Sequence, residues 1–198
     1  MRLIPAILTG LMLIGVPVAA AKKADIPAGF SLKARGMLHH KASGTDFPLL
    51  LAGFTRSAER AYDLSGKDAA VAYRQTIDGK DVVARIALLQ IAGMTPKEHY
   101  LGMQALVGEY FQGMSFTEVA PRGEGPFDPP GLAPGSGYQG RFSAMLNGTP
   151  YELSLSTVKL GKWDGRVTAA YPAASADRAQ ANIVNLVAGL QKTAPKQK

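Results

Sequence analysis

The chain has 198 residues, no cysteine, and a formal charge of +7 from 22 basic and 15 acidic side chains. The missing cysteines exclude disulfides, thiolate metal sites and cysteine nucleophiles together. Setting aside the terminal charges (Arg2, Lys22, Lys23, Lys192, Lys196, Lys198 and Asp25) leaves sixteen basic against fourteen acidic residues. The body is thus near neutral, and no basic stripe interleaved with aromatics marks a nucleic-acid groove.

Arg2 precedes an apolar run from Leu3 to Val18, followed by Ala19-Ala20-Ala21 and Lys22-Lys23. A basic start, an apolar stretch and a small-x-small site read as a secretory signal peptide over 1–21, cleaved between Ala21 and Lys22. The rival reading, an uncleaved anchor, has the Lys22-Lys23 pair in its favour. Against it, sixteen residues make only about 24 Å of helix, where the hydrocarbon is roughly 30 Å thick. Pro5, Gly10, Gly15 and Pro17 also interrupt the run. The mature protein is therefore expected to be periplasmic or secreted, soluble, and without a membrane span.

A flexible lead-in covers 22–30, and one α+β domain is expected over 31–191. A domain of this size buries around 70% of its unfolded surface without covalent cross-links. Ala69 to Ile77 alternates, with Val71, Tyr73 and Ile77 on one face and Arg74 and Thr76 on the other, as a half-buried strand does. Asp78-Gly79 suits a tight hairpin turn. Val82 to Ile91 is apolar on both faces, with Arg85 its one charge, which predicts a central strand covered at least in part on both sides.

Thr95-Pro96-Lys97-Glu98 combines an N-cap threonine, proline at the first helical position and glutamate at the third. The helix it opens carries a stripe of Tyr100, Met103, Leu106, Val107, Tyr110, Phe111 and Met114. Ten of the seventeen residues from Pro121 to Gly137 are Pro or Gly, which predicts a structureless loop spanning about 120–138. Strands resume at Gln139 to Leu146, turn at Asn147-Gly148, and continue through Tyr151 to Ser156, whose strict alternation predicts one wet face. Gly161 to Gly165 turns the chain into a strand over Arg166 to Tyr171. A last helix follows Ser175, burying Ala179, Ile183, Leu186, Val187 and Leu190, and a basic tail over 192–198 is expected to be disordered.

Hairpins with segregated helices predict an antiparallel sheet with two main helices packed on it. Tyr151 to Leu190 resembles the C-terminal part of PsbP-like domains, the α/β sandwich family of photosystem II extrinsic subunits. That fold is shared by a Ran-binding nuclear import factor and by many exported bacterial proteins. The resemblance is one of element order and implies a binding or accessory role; it transfers no functional residue.

Candidate chemistry is sparse. His39-His40 suggests metal, but neighbours in a strand point to opposite faces and a third ligand would have to be a carboxylate such as Asp46. His99 is expected near the helix start, partly exposed. Gly-x-Ser-x-Gly does not occur, and Ser136 between Gly135 and Gly137 is the nearest approach to it. Glu98, Glu109, Glu118, Glu124 and Asp128 offer no evident catalytic pair. Arg122-Gly123-Glu124-Gly125 places an acid where a phosphate loop needs none, and Asn147-Gly148-Thr149 reads as turn chemistry before glycosylation. No cofactor is implied.

Two binding features stand out. Phe127 and Leu132 can make the Pro/Gly loop a lid over an apolar pocket, with disorder of the loop as the alternative. Trp163, the single tryptophan, is placed on a turn, where it either contacts a partner or folds over the sheet edge. The reading is an exported, non-enzymatic binding or accessory protein of the cell envelope, its partner an envelope protein or a small molecule. The alternative is a hydrolase with His39, His40 or His99 as base.

Overall fold

The computed structural model describes residues 26–63, 65–111 and 114–195. The signal segment, with its Ala21–Lys22 junction, lies outside them, as do the last three residues of the basic tail.

Two strands form the middle of the molecule. β7 (Lys80–Leu89) pairs antiparallel with β11 (Trp163–Pro172), although 73 residues separate them. Around this pair, β4 (Leu50–Leu51), β5 (Phe54–Ala61) and β6 (Ala69–Ile77) extend the sheet on the β7 side. β10 (Thr149–Leu160), β9 (Gly137–Leu146) and β8 (Thr117–Pro126) extend it on the other. The order β4-β5-β6-β7-β11-β10-β9-β8 is antiparallel throughout. A separate three-stranded sheet joins β1 (Phe30–Leu32), β2 (Leu38–His40) and β3 (Asp46–Phe47).

The expected hairpins are present for the expected reason. Asp78-Gly79 and Asn147-Gly148 both hold positive φ at the two central positions (51° and 72°, 49° and 75°), the geometry that matches strand twist. The third turn is tighter than the sequence suggested: Gly161-Lys162 alone reverses the chain, and Trp163 is already the first residue of β11.

Helices cover both faces. α3 (Ala176–Thr193) buries Ala179, Ile183, Leu186, Val187 and Leu190 against one face, together with Phe30, Leu38 and Phe47 of the small sheet. Each fully buried aliphatic side chain there contributes about 1.5–3 kcal/mol. Ser175 does not cap α3; its hydroxyl donates to Asp78 Oδ2 at 3.1 Å and ties the helix start to the β6–β7 turn. The helix also runs two residues past Gln191, where the tail was expected to begin.

On the opposite face lies α1 (Pro96–Met103), with the capping box as read from sequence: Thr95 Oγ1 accepts from Glu98 N and Glu98 Oε2 accepts from Thr95 N. The helix does not continue to Met114. It ends at Met103, passes through one tight turn, and resumes as α2 (Val107–Tyr110). Gly102 and Gly108 each cost a helix about 1 kcal/mol, and Leu106 of the supposed stripe is exposed. Tyr100, Val107 and Phe111 pack on Phe142, Leu153, Leu155 and Ala170, forming a second, smaller core.

The Pro/Gly segment is only partly a loop. Thr117 to Pro126 is strand β8, paired to β9 with register shifts at Thr117/Ala120 and Pro121/Gly123. An edge strand bonds on one side only, so prolines and irregular steps that would break a central strand are accommodated there. The loop proper is confined to 127–136.

Candidate functional site

Glu152, Ser154 and Ser156 occupy one face of β10, the face predicted to be wet, yet all three are buried, Ser154 and Ser156 completely. Cross-strand register places Ser143, Arg141 and Gln139 of β9 on one side of them and Tyr171, Ala169 and Val167 of β11 on the other. The N-terminal half of α3 closes the space with Gln180. A chain of hydrogen bonds results: Tyr171 Oη donates to Gln180 Oε1 at 3.1 Å, Gln180 Nε2 to Gln139 Oε1 at 2.7 Å, and Gln139 Nε2 to Ser156 Oγ at 2.7 Å.

Glu152 ends this strip. Arg122 Nη1 donates to its Oε1 at 3.0 Å, and Arg141 Nη1 stands 3.8 Å from Oε2. Glu152 Oε2 and Ser154 Oγ are buried beside the Tyr171 phenol, but neither makes a hydrogen bond of good geometry within the protein. Burial first, and then the Glu152 charge, push the Tyr171 phenol above its ordinary range, so it stays a donor. Two openings meet the strip. One, of about 290 Å³, is lined by Glu124, Gln139 and Arg141. The other, of about 380 Å³, lies between Glu152 and the 173–178 turn at the start of α3. The strip offers a carboxylate held between two guanidiniums, two hydroxyls and two amides, a set suited to holding a polar ligand by hydrogen bonds.

The residues singled out from sequence lie elsewhere. Phe127 and Trp163 belong to the larger apolar core, and Leu132 packs against it. Trp163 is 7% exposed, its ring edge-on to His40 at 5.5 Å. Beneath the 127–136 loop there is a cavity of about 430 Å³, but Gly131, Ala133, Ser136, Lys159 and Gln191 line it.

His39 and His40 face opposite ways. His39 Nδ1 meets Asp46 Oδ1 at 2.6 Å, and Asp46 also accepts from Lys33 Nζ at 2.8 Å. Burial opposes ionisation of Asp46, but its bonds from Lys33 and His39 prevail and hold the carboxyl below its ordinary range. His40 is fully buried between Ser43 Oγ (2.8 Å) and the Gly66 carbonyl (2.5 Å), and burial lowers its pKa. Among the described residues, no three His, Cys, Asp or Glu side chains come together to hold a metal ion.

His99 is not partly exposed as expected but 5% exposed. The capping box sets the phase of α1 so that His99 and Tyr100 both face the sheet. Burial lowers the His99 pKa, against the charge of Asp164 and with that of Arg166 and Lys159. Asp164 is itself buried, paired with Lys159 and accepting from Ile91 N. Of the acids, Glu98 serves the capping box, Glu124 accepts from Tyr138 Oη, Asp128 accepts from Gly135 N, and Glu109 and Glu118 are exposed. Sequence reasoning passed over Glu152, although a single acid in a twelve-residue strand, followed by Ser154 and Ser156 on the same side, was a readable signal.

No family model matches the chain, and no curated protein matches it. Among solved structures, the Ran-binding protein Mog1p of Saccharomyces cerevisiae is similar, at 10% identity and a TM-score of 0.43, over 83% of this chain and 92% of that one. A likeness of that degree transfers neither a residue nor a role. No helix among the described residues is long and apolar enough to cross a membrane.

Proposed function

We propose that the chain is an exported, non-enzymatic binding or accessory protein of the cell envelope, and that a small polar ligand sits against the Glu152–Ser154 strip. The observation that carries the binding site is a pair of buried atoms, Glu152 Oε2 with the Arg141 guanidinium at 3.8 Å and Ser154 Oγ, neither making a hydrogen bond of good geometry within the protein. They lie in a strip whose Glu152 lines one opening and whose Gln139 and Arg141 line the other. Each such group costs about 1–3 kcal/mol when unsatisfied, and a ligand that bonds to both recovers that cost. Export rests on the pattern of Arg2, the apolar run and the Ala19–Ala21 triplet.

Native mass spectrometry of protein purified from its own host tests the binding reading. A small molecule carried by the wild type and lost from Glu152→Gln with Ser154→Ala supports it; a ligand retained by that double variant removes the strip from the site. Sequencing the N-terminus of the same material tests export: a start at Lys22 supports it and a retained Met1 overturns it.

The hydrolase reading has one geometric support, the hydrogen bond between Ser43 Oγ and His40 Nδ1. Both residues are buried and neither lines the cavities described above. In that place the pair pins the 41–45 turn. Labelling of Ser43 by a fluorophosphonate would revive the enzyme.

A further inference from the structure

The helices leave one region of the sheet bare. The smaller core formed by α1 and α2 contains no residue of β5, β6 or β7. On that face, register sets Arg60 opposite Ala70, Ala70 opposite Ala87, and Ala87 opposite Arg166, the two alanines themselves buried. The two arginines therefore close the ends of one cross-strand row, about 14 Å apart at three interstrand spacings. Arg85 stands two residues along β7 from Ala87, between Ala72 and Thr168.

None of these three guanidiniums has a carboxylate partner among the described residues. Glu59, the one acid along the depression, stands on the opposite pleat and faces Arg56 at 3.9 Å. The charges acting on Arg85 are those of Arg166 and Arg60, both repulsive. Aromatic rings hold the arginines instead. Arg60 and Arg85 lie over the Tyr62 ring at 5.2 and 5.3 Å, and Arg166 lies over Tyr110 at 4.5 Å. A guanidinium stacked this way can still turn N–H groups to a carboxylate, although Arg166 already gives Nη1 to Met103 Sδ at 3.8 Å.

We infer that this face docks an acidic segment of a partner protein, its carboxylates pairing with Arg60, Arg85 and Arg166 over an alanine floor. Like charges gathered without counter-charges are unfavourable alone and become favourable against a complementary partner. The shape separates a chain segment from an enclosed small molecule. The depression between Arg60 and Arg85 holds about 260 Å³, lined by Ala58, Ala70 and Ala72. A small-ligand site encloses most of its ligand and converges its polar groups on it. Here three cations spread over four strands, which suits something laid across the sheet. This face is opposite the Glu152 strip, so the inference stands apart from the proposed ligand site.

Fluorescence anisotropy with a labelled Asp/Ser decapeptide and full-length mature protein tests it, with circular dichroism melts to confirm folding. Losing a hydrogen bond to a charged group weakens binding roughly tenfold or more. Arg85→Gln is expected to show that loss. The triple variant Arg60→Gln, Arg85→Gln, Arg166→Gln is expected to abolish binding. Arg35→Gln, at an exposed arginine on the tight turn before β2, should bind as wild type does. If Arg85→Gln unfolds, Arg85→Met keeps the aliphatic packing and reads the charge alone. Three results overturn the inference: no wild-type binding below millimolar peptide, equal weakening by Arg35→Gln, or binding to phosphatidylglycerol vesicles with none to the peptide.

Discussion

The Tyr100 phenol of α1 lies directly against the backbone of Gly140 on β9, with no room between them for a Cβ. The helix rests on the sheet at this glycine, and the capping box at Thr95 determines where along the strand it rests. Gly140→Ala is expected to displace α1 and cost about 1–3 kcal/mol, the usual penalty of overpacking. Urea denaturation measures it. A loss below half a kcal/mol would mean that α1 is free to shift.

The cap itself gives a second measurement. Thr95→Ala removes the acceptor for Glu98 N and one partner of the Glu98 carboxylate, and should cost about 1 kcal/mol. Because α1 also buries His99, hydrogen exchange should rise at β11 near Asp164 as well as in the helix. Exchange confined to 96–103 would show that the helix and the polar cluster beneath it open independently.

Acid should weaken the fold through its two buried histidines. His40 and His99 have pKa values lowered from 6.5, chiefly by burial. As pH falls through about 6.5 the unfolded chain takes up protons that the folded chain still refuses, so stability drops with falling pH. It is fully present above 6.5 and lost as pH approaches the folded values. His99→Gln should flatten the slope between pH 7 and 5. Stability that rises on acidification across that range would contradict the assignment. The loss from Asp46, whose carboxyl is held below its ordinary value of 3.8, comes in a separate and more acid window.

Lys159 neutralises a charge that the fold has already buried. Asp164 is buried beneath α1, paired with Lys159 and bonded to Ile91 N. Lys159→Met leaves that carboxylate without its cation and should cost about 3 kcal/mol. The double variant Lys159→Met, Asp164→Asn should recover part of it. A recovery of zero in thermal or urea melts would separate the two residues energetically.

These tests fall on features of unequal visibility in the sequence. Local chemistry was legible: Asp78-Gly79 and Asn147-Gly148 can make tight turns wherever they occur, and Thr95 to Glu98 needs only its own backbone to cap a helix. The apolar stripe of α3 was equally plain, because one face of that helix does all the packing. What depends on distant neighbours was not. The alternation of β10 is that of a wet face, and only the arrival of Gln180 from α3 and Gln139 from β9 makes Glu152, Ser154 and Ser156 interior. Trp163 sits next to a turn, yet pairing with Leu160 begins at that residue and swings its ring under the sheet toward His40. The prolines of β8 argue against a strand until the strand is known to be outermost. Arg85 reads as an isolated charge in an apolar run, because its companions Arg60 and Arg166 lie 25 and 81 residues away in the chain.

The two outer strands of the large sheet have a consequence for how copies of this chain meet one another. β4 is only two residues long, and β8 is broken by proline and two slips of register. On the β8 side an incoming strand therefore finds no straight run of free N–H and C=O groups, and on the other side the length of β5 beyond Thr55 that β4 leaves open is interrupted by the register shift between Arg56 and Ala58. Edge-to-edge pairing between crowded copies is blunted on both sides, which favours a finite sheet of eight strands over the first layer of a fibre.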